Sequence, residues 1–254
     1  MTLLDFASAP HGGSQRHLPE WQSQPRITPT TIIDHSIVGS AEGAFQMFRD
    51  RSVLESHFIV LGRRSGVGDG HIWQLMDTDR QADANLDANG YAISIETEDD
   101  GDPDTQPWTG AQLRSLMWLH TELRRVHPSI PRRASRSCAD PAGLGYHTLH
   151  GAPSCWTPVA KSCPGAIRKQ QWRDVLLPDF LAGPDLEDDM TTEELLDALE
   201  STRGQAALRK AVTHVLRVAV GPDDGRTPAG IYFDGLAADV AEIKDAVVEP
   251  PPPA

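Results

Sequence analysis

The run HFIVLG, His57 to Gly62, places four apolar side chains in succession, Phe58 to Leu61. A strand of that kind has no face to give to water, so it belongs inside a sheet covered on both sides. This requirement points to an α/β fold, a central mixed β-sheet flanked by helices. Three other segments read as partner strands. The β-branched stretch Thr30 to Val38 is one, and GHIWQLM, bounded by the turn GVGDG, is the second. In the third, YAISIETE, residues alternate, with Ile93 and Ile95 on one face and Ser94, Glu96 and Glu98 on the other.

Helical signals separate these strands. Ser40 is placed to start AEGAFQMFRDR, in which Phe45 and Phe48 share a face. Thr109 and Gln112 form a capping-box pair, followed by Leu113, Leu116, Met117, His120 and Leu123 at helical spacing. A last helix is expected from Ile167 to Leu177, stopped by Pro178.

Three regions follow from the patterning. Residues 1–26, rich in Gly, Ser, Pro and Gln, read as a loosely ordered arm. The main domain occupies 27–182. Residues 183–254 read as an acidic helical appendage, with helices capped at Thr191, running from Gln205 to Val220, and marked by Leu236, Val240, Ile243 and Val247. From Asp185 onward the chain carries 15 Asp/Glu against 6 Lys/Arg.

A net charge of −13 without a basic stripe argues against nucleic acid as a partner. No apolar run reaches the roughly 18 residues of a membrane span, and the first residues lack the form of a signal peptide. Synthesis inside a cell, in soluble form, is the expectation. Three cysteines do not suggest a disulfide scaffold. Oligomeric state is not legible.

The stretch from Pro128 to Cys163 is longer than irregular connections usually are, which marks it as a site loop. It ends in KSCPG. Cys163 has four readings there: nucleophile, disulfide partner, packing residue or metal ligand. A nucleophile needs an imidazole nearby, and a cysteine peptidase acting on peptides is one outcome. His35 on the first strand, His147 in GLGYH and Cys163 would together make a His/His/Cys set suited to hydrolytic zinc, which leaves one coordination place for water. Glu96 is available to move protons and Lys161 to stabilise an oxyanion. Spacing alone leaves these alternatives open.

The succession IIDHSIV, ESHFIVLGRRSGVGDGHIWQLM, YAISIETED, GLGYH and KSCPG resembles the zinc-dependent N-acetylmuramoyl-L-alanine amidases of the amidase type 2 and peptidoglycan-recognition group. It is most similar to the endolysins of phages that infect actinobacteria, over about residues 28 to 178. The resemblance implies a peptidoglycan hydrolase cutting between N-acetylmuramic acid and L-alanine, with Zn2+ held by His35, His147 and Cys163, and Glu96 and Lys161 as catalytic residues. His150 competes with His147 for the second ligand place, because the interval to Cys163 is longer than usual in the family. Ser56 stands where many phage members carry a tyrosine, so proton handling falls to Glu96. An endolysin of this form waits in the host cytoplasm and reaches the cell wall on release. Some relatives of the same fold bind peptidoglycan without cutting it, which is the alternative function.

Other features read as structural. His57 packs or lines the cleft, Glu98 and EDDGDPD form a solvated strand end, and Trp73, Trp108 and Trp156 either pack or stack on sugar rings.

Overall fold

The computed structural model describes residues 2–51 and 55–183. The expected C-terminal helices and the boundary at 183 lie outside the described residues.

Among the described residues six strands form one mixed sheet: β1 (Gly13–Gln15), β2 (Thr31–Asp34), β3 (Phe58–Val60), β4 (Ile72–Gln74), β5 (Ala92–Thr97) and β6 (Gly143–Tyr146), in the order β1-β4-β3-β5-β2-β6. Only β3 and β4 pair antiparallel, through the GVGDG turn; all other neighbours are parallel. The run HFIVLG meets its requirement. Phe58, Ile59, Val60 and Leu61 are all fully buried. On one face Ile59 and Leu61 pack with Phe45 and Phe48 of helix α1 (Ala41–Arg51). Helix α2 (Gly110–Val126) supplies Leu113, Leu116, Leu119 and Leu123 to the core.

Local chemistry sets the helix starts. Ser40 Oγ accepts the Gly43 amide at 3.1 Å, and the expected capping box is complete: Thr109 Oγ1 takes the Gln112 amide at 3.0 Å while Gln112 Oε1 takes the Thr109 amide at 3.1 Å.

Four expectations need correction. Within the expected loose arm of residues 1–26, the described residues 2–26 are ordered against the domain. Leu4 and Leu18 are buried, the Thr2 amide donates to Asp77 at 2.8 Å, and β1 extends the sheet beside β4. Gly13 permits this approach, since a Cβ there would enter the Phe6 ring. Glycine richness was misleading because β4 supplies the ladder bonds. Second, GLGY forms a strand inside what reads as pure loop. Its apolar content is too low to signal β structure, and pairing with β2 along residues 31–34 makes the strand. Third, Glu98 is not solvated: Oε1 accepts the Ala41 amide at 2.8 Å and Oε2 the Gly62 amide at 2.7 Å. Its carboxylate caps α1 and pins the end of β3. Fourth, the last helix does not stop at Pro178. It runs as α3 (Ala166–Gln171), a π turn (Trp172–Leu176) and α4 (Leu177–Ala182), and the wider turn, in which the Leu177 amide bonds the Trp172 carbonyl, lets the chain pass the proline.

Candidate metal centre

Parallel register brings the central residues together. Asp34 is paired with Tyr146 on one side and with Ile95 on the other. One residue further along each strand stand His35, His147 and Glu96, at matching positions and hence on one face of the sheet's carboxyl edge. The ladder continues across them, with the His147 amide on the Asp34 carbonyl at 3.1 Å and the His35 amide on that of Ile95 at 2.8 Å.

Cys163 arrives from the loop. Gly165 shapes its approach: φ is 103°, and a Cβ would run into the backbone of Pro103, so no other residue fits. Ser36 holds the turn, its amide donating to Cys163 Sγ at 3.3 Å and its hydroxyl to the Pro164 carbonyl at 2.8 Å. Thr148 Oγ1 donates to the Cys163 carbonyl at 2.6 Å. Beneath them Arg168, 1% exposed, reaches Ser36 Oγ at 2.8 Å and Thr97 Oγ1 at 3.0 Å.

One ligand atom each from His35, His147 and Cys163 lies within 4.8 Å of the others, the one such cluster of three or more among the described residues. Cys163 Sγ is 4.0 Å from His35 Nδ1, and Glu96 Oε1 is 3.8 Å from the same nitrogen. Both imidazoles are oriented from behind. His35 Nε2 meets Asn85 Oδ1 at 2.7 Å and His147 Nε2 meets the Trp156 carbonyl at 2.9 Å. Each acceptor is an oxygen without a hydrogen of its own, so each Nε2 carries the proton and each Nδ1 keeps its lone pair for the centre.

Burial makes both histidines poor bases. It drives His35 well below the usual imidazole range and His147 to about 4, the Lys161 charge adding to the second effect. Neutral imidazole is the form that binds metal. Burial also pushes the Cys163 thiol up to about 12, with the Glu96 charge next in effect, and raises the Glu96 carboxyl to about 8 against the pull of Lys161. A cation among these groups would reverse the balance at sulfur, because coordination deprotonates a thiol.

The donor set fits zinc. Tetrahedral sites with metal–ligand distances of about 2.0–2.3 Å put ligand atoms roughly 3.5 Å apart, within small side-chain adjustment of the observed spread. Glu96 is largely buried and its Oε2 has no hydrogen-bond partner among the described residues, whereas Lys161 is exposed at the rim.

The competing residues are placed elsewhere. His150 Nε2 pairs with Ser135 Oγ at 2.8 Å and its ring packs on Trp156, outside the cluster. His57 is buried, accepting the Ser94 amide at 3.1 Å and bonding the Arg80 carbonyl at 2.8 Å. Trp73, Trp108 and Trp156 are buried, so none offers a ring to a sugar. Cysteine usage departs from expectation: Cys138 and Cys155 form a disulfide, and Cys163 is free. Composition missed this because Cα positions 6.0 Å apart come from folding the loop around β6. Asn85, Ser36 and the Trp156 carbonyl were also missed, the last because a backbone oxygen leaves no trace in sequence.

Residues 24–166 match the family model described as N-acetylmuramoyl-L-alanine amidase. Among solved structures, the chain is similar to the N-acetylmuramoyl-L-alanine amidase LysC from Clostridium intestinale URNW at 17% identity, covering 62% of this chain and 93% of that one, with a TM-score of 0.44. It is also similar to the Ph2119 endolysin from Thermus scotoductus MAT2119 bacteriophage Ph2119, at 15% identity over 66% of this chain and 100% of that one, TM-score 0.42. No curated protein matches it.

Proposed function

Since this chain belongs to the N-acetylmuramoyl-L-alanine amidase family, we propose that it hydrolyses the amide between N-acetylmuramic acid and L-alanine in peptidoglycan, with Zn2+ held by His35, His147 and Cys163. The observation that carries this reading is the convergence of one ligand atom each from His35, His147 and Cys163 beside Glu96. Zinc bound there would act as a Lewis acid, acidifying water and polarising the substrate carbonyl.

The remaining steps belong to side chains. Glu96, on the rigid β5 and 3.8 Å from a ligand nitrogen, takes a proton from the attacking water and delivers one to the departing L-alanine nitrogen. Lys161, exposed and two residues before Cys163, meets the negative charge that develops on the carbonyl oxygen. The hydrogen bonds behind His35 and His147 keep both rings from turning during the cycle. The setting proposed is that of a phage endolysin, held in the host cytoplasm until lysis and then acting on the wall.

Purified cell walls test the reading directly. The full chain loaded with zinc should release free L-alanine amino termini, and should stop doing so once a chelator has removed the metal. Turnover that survives verified metal removal would overturn the mechanism. Binding to walls with no release from the zinc-loaded chain would make it a recognition module instead.

A further inference from the structure

Asn85 lies far from the candidate ligands in sequence, and its contact with the centre is the one bond behind His35. It is fully buried in the connection between β4 and β5, and its Oδ1 meets His35 Nε2 at 2.7 Å. The other end of the amide is engaged as well, since Nδ2 donates to Ser94 Oγ. Ser94 is itself fixed, its amide donating to His57 Nδ1 at 3.1 Å while His57 Nε2 donates to the Arg80 carbonyl at 2.8 Å. Asn85 therefore bridges the first histidine to a buried polar chain beneath β5.

The backbone around Asn85 is held with equal care. Its amide donates to Asn89 Oδ1 at 2.7 Å, its carbonyl accepts the Ala88 amide at 3.0 Å, and Asn89 Nδ2 donates to Asp83 at 3.2 Å. Leu86, the next residue, has φ of 49°, the one non-glycine in the left-handed region among the described residues. Such a conformation persists only where its surroundings enforce it.

We infer that Asn85 is a positioning residue: by accepting from Nε2 it fixes the tautomer of His35, turns the Nδ1 lone pair toward Cys163 and Glu96, and thereby sets the zinc affinity of the site. The inference rests on the metal reading above. Without an acceptor behind it, His35 can carry its hydrogen on Nδ1, and the ring must exchange tautomers before it binds. Outer hydrogen bonds of this kind alter metal affinity by roughly 10- to 100-fold.

Two measurements on the full chain test it. In the metal-free protein, two-bond 15N–1H correlations report which ring nitrogen of His35 is protonated; Nε2–H is expected. Zinc affinity, read by competition with a chromophoric chelator, should fall roughly 10- to 100-fold in Asn85→Leu. Asn85→Asp, which keeps an acceptor at the same place, should bind within a few-fold of the parent or more tightly. An Nδ1–H tautomer in the parent overturns the inference whether or not any variant folds. So does a folded Asn85→Leu protein with unchanged affinity. If the parent shows Nε2–H yet binds no zinc, the metal reading fails, and the role of Asn85 in metal binding fails with it.

Discussion

His147 Nε2 lies 2.9 Å from the carbonyl oxygen of Trp156, and Trp156 directly follows a disulfide-bonded cysteine. A proposed metal ligand is thus oriented by a backbone oxygen whose own position is clamped to Cys138, 17 residues before Cys155.

Opening that clamp should be felt at the centre. The Cys138→Ser/Cys155→Ser protein is expected to lose about 3 kcal/mol of stability, the loop-closure value for a loop of this length. Its zinc affinity should fall by about tenfold as the carbonyl behind His147 loosens. Chemical denaturation and chelator competition measure the two effects. Unchanged zinc binding would mean that β6 alone holds the histidine.

Cys163→Ala should remove one of the three proposed ligands and, with it, stoichiometric zinc at micromolar protein. Elemental analysis after dialysis reads this directly. Retention of one zinc per chain would show that Cys163 is not a ligand.

Glu96→Gln keeps the shape of the side chain and should leave zinc content unchanged while lowering turnover by roughly 10²- to 10⁴-fold. Release of L-alanine amino termini is the assay. Full turnover in this variant would move proton transfer to another group.

His57 ties stability to pH. Burial drives its pKa to about 4, while in the unfolded chain it binds a proton below about pH 6.5. Its contribution is therefore complete above pH 6.5 and is lost as the pH falls to about 4, on the order of 3 kcal/mol in all. Denaturation curves at pH 7 and pH 4.5 should differ less for His57→Gln than for the parent. Equal differences would exclude His57 as a source of acid sensitivity.

The candidate cluster was suggested by the family resemblance, spacing alone leaving the alternatives open, and the structure brings its three candidate ligands together. His35 sits in a β-branched strand, Glu96 in an alternating one, and Cys163 in a Lys-x-Cys-Pro-Gly turn whose glycine no other residue can replace. What escaped notice depends on pairing across the chain. GLGY is a strand only because β2 lies beside it, and the N-terminal segment is ordered only because β4 accepts it. Asn85 escaped for a related reason: an asparagine in DANLDANG reads as turn chemistry until folding brings it beneath His35. Pro178 misled in the opposite direction, since a single wide turn before it removed the conflict that should have ended the helix.

Strand β1 has a practical consequence for anyone handling this domain. A chain trimmed to start near residue 24, where the family match begins, would strip the three-residue border from Ile72–Gln74 and uncover a row of unpaired backbone groups flanked by Ile72 and Trp73. Exposed borders of that sort recruit other chains. Such a trimmed protein should precipitate or self-associate where the longer one stays dispersed, although every residue of its centre is intact.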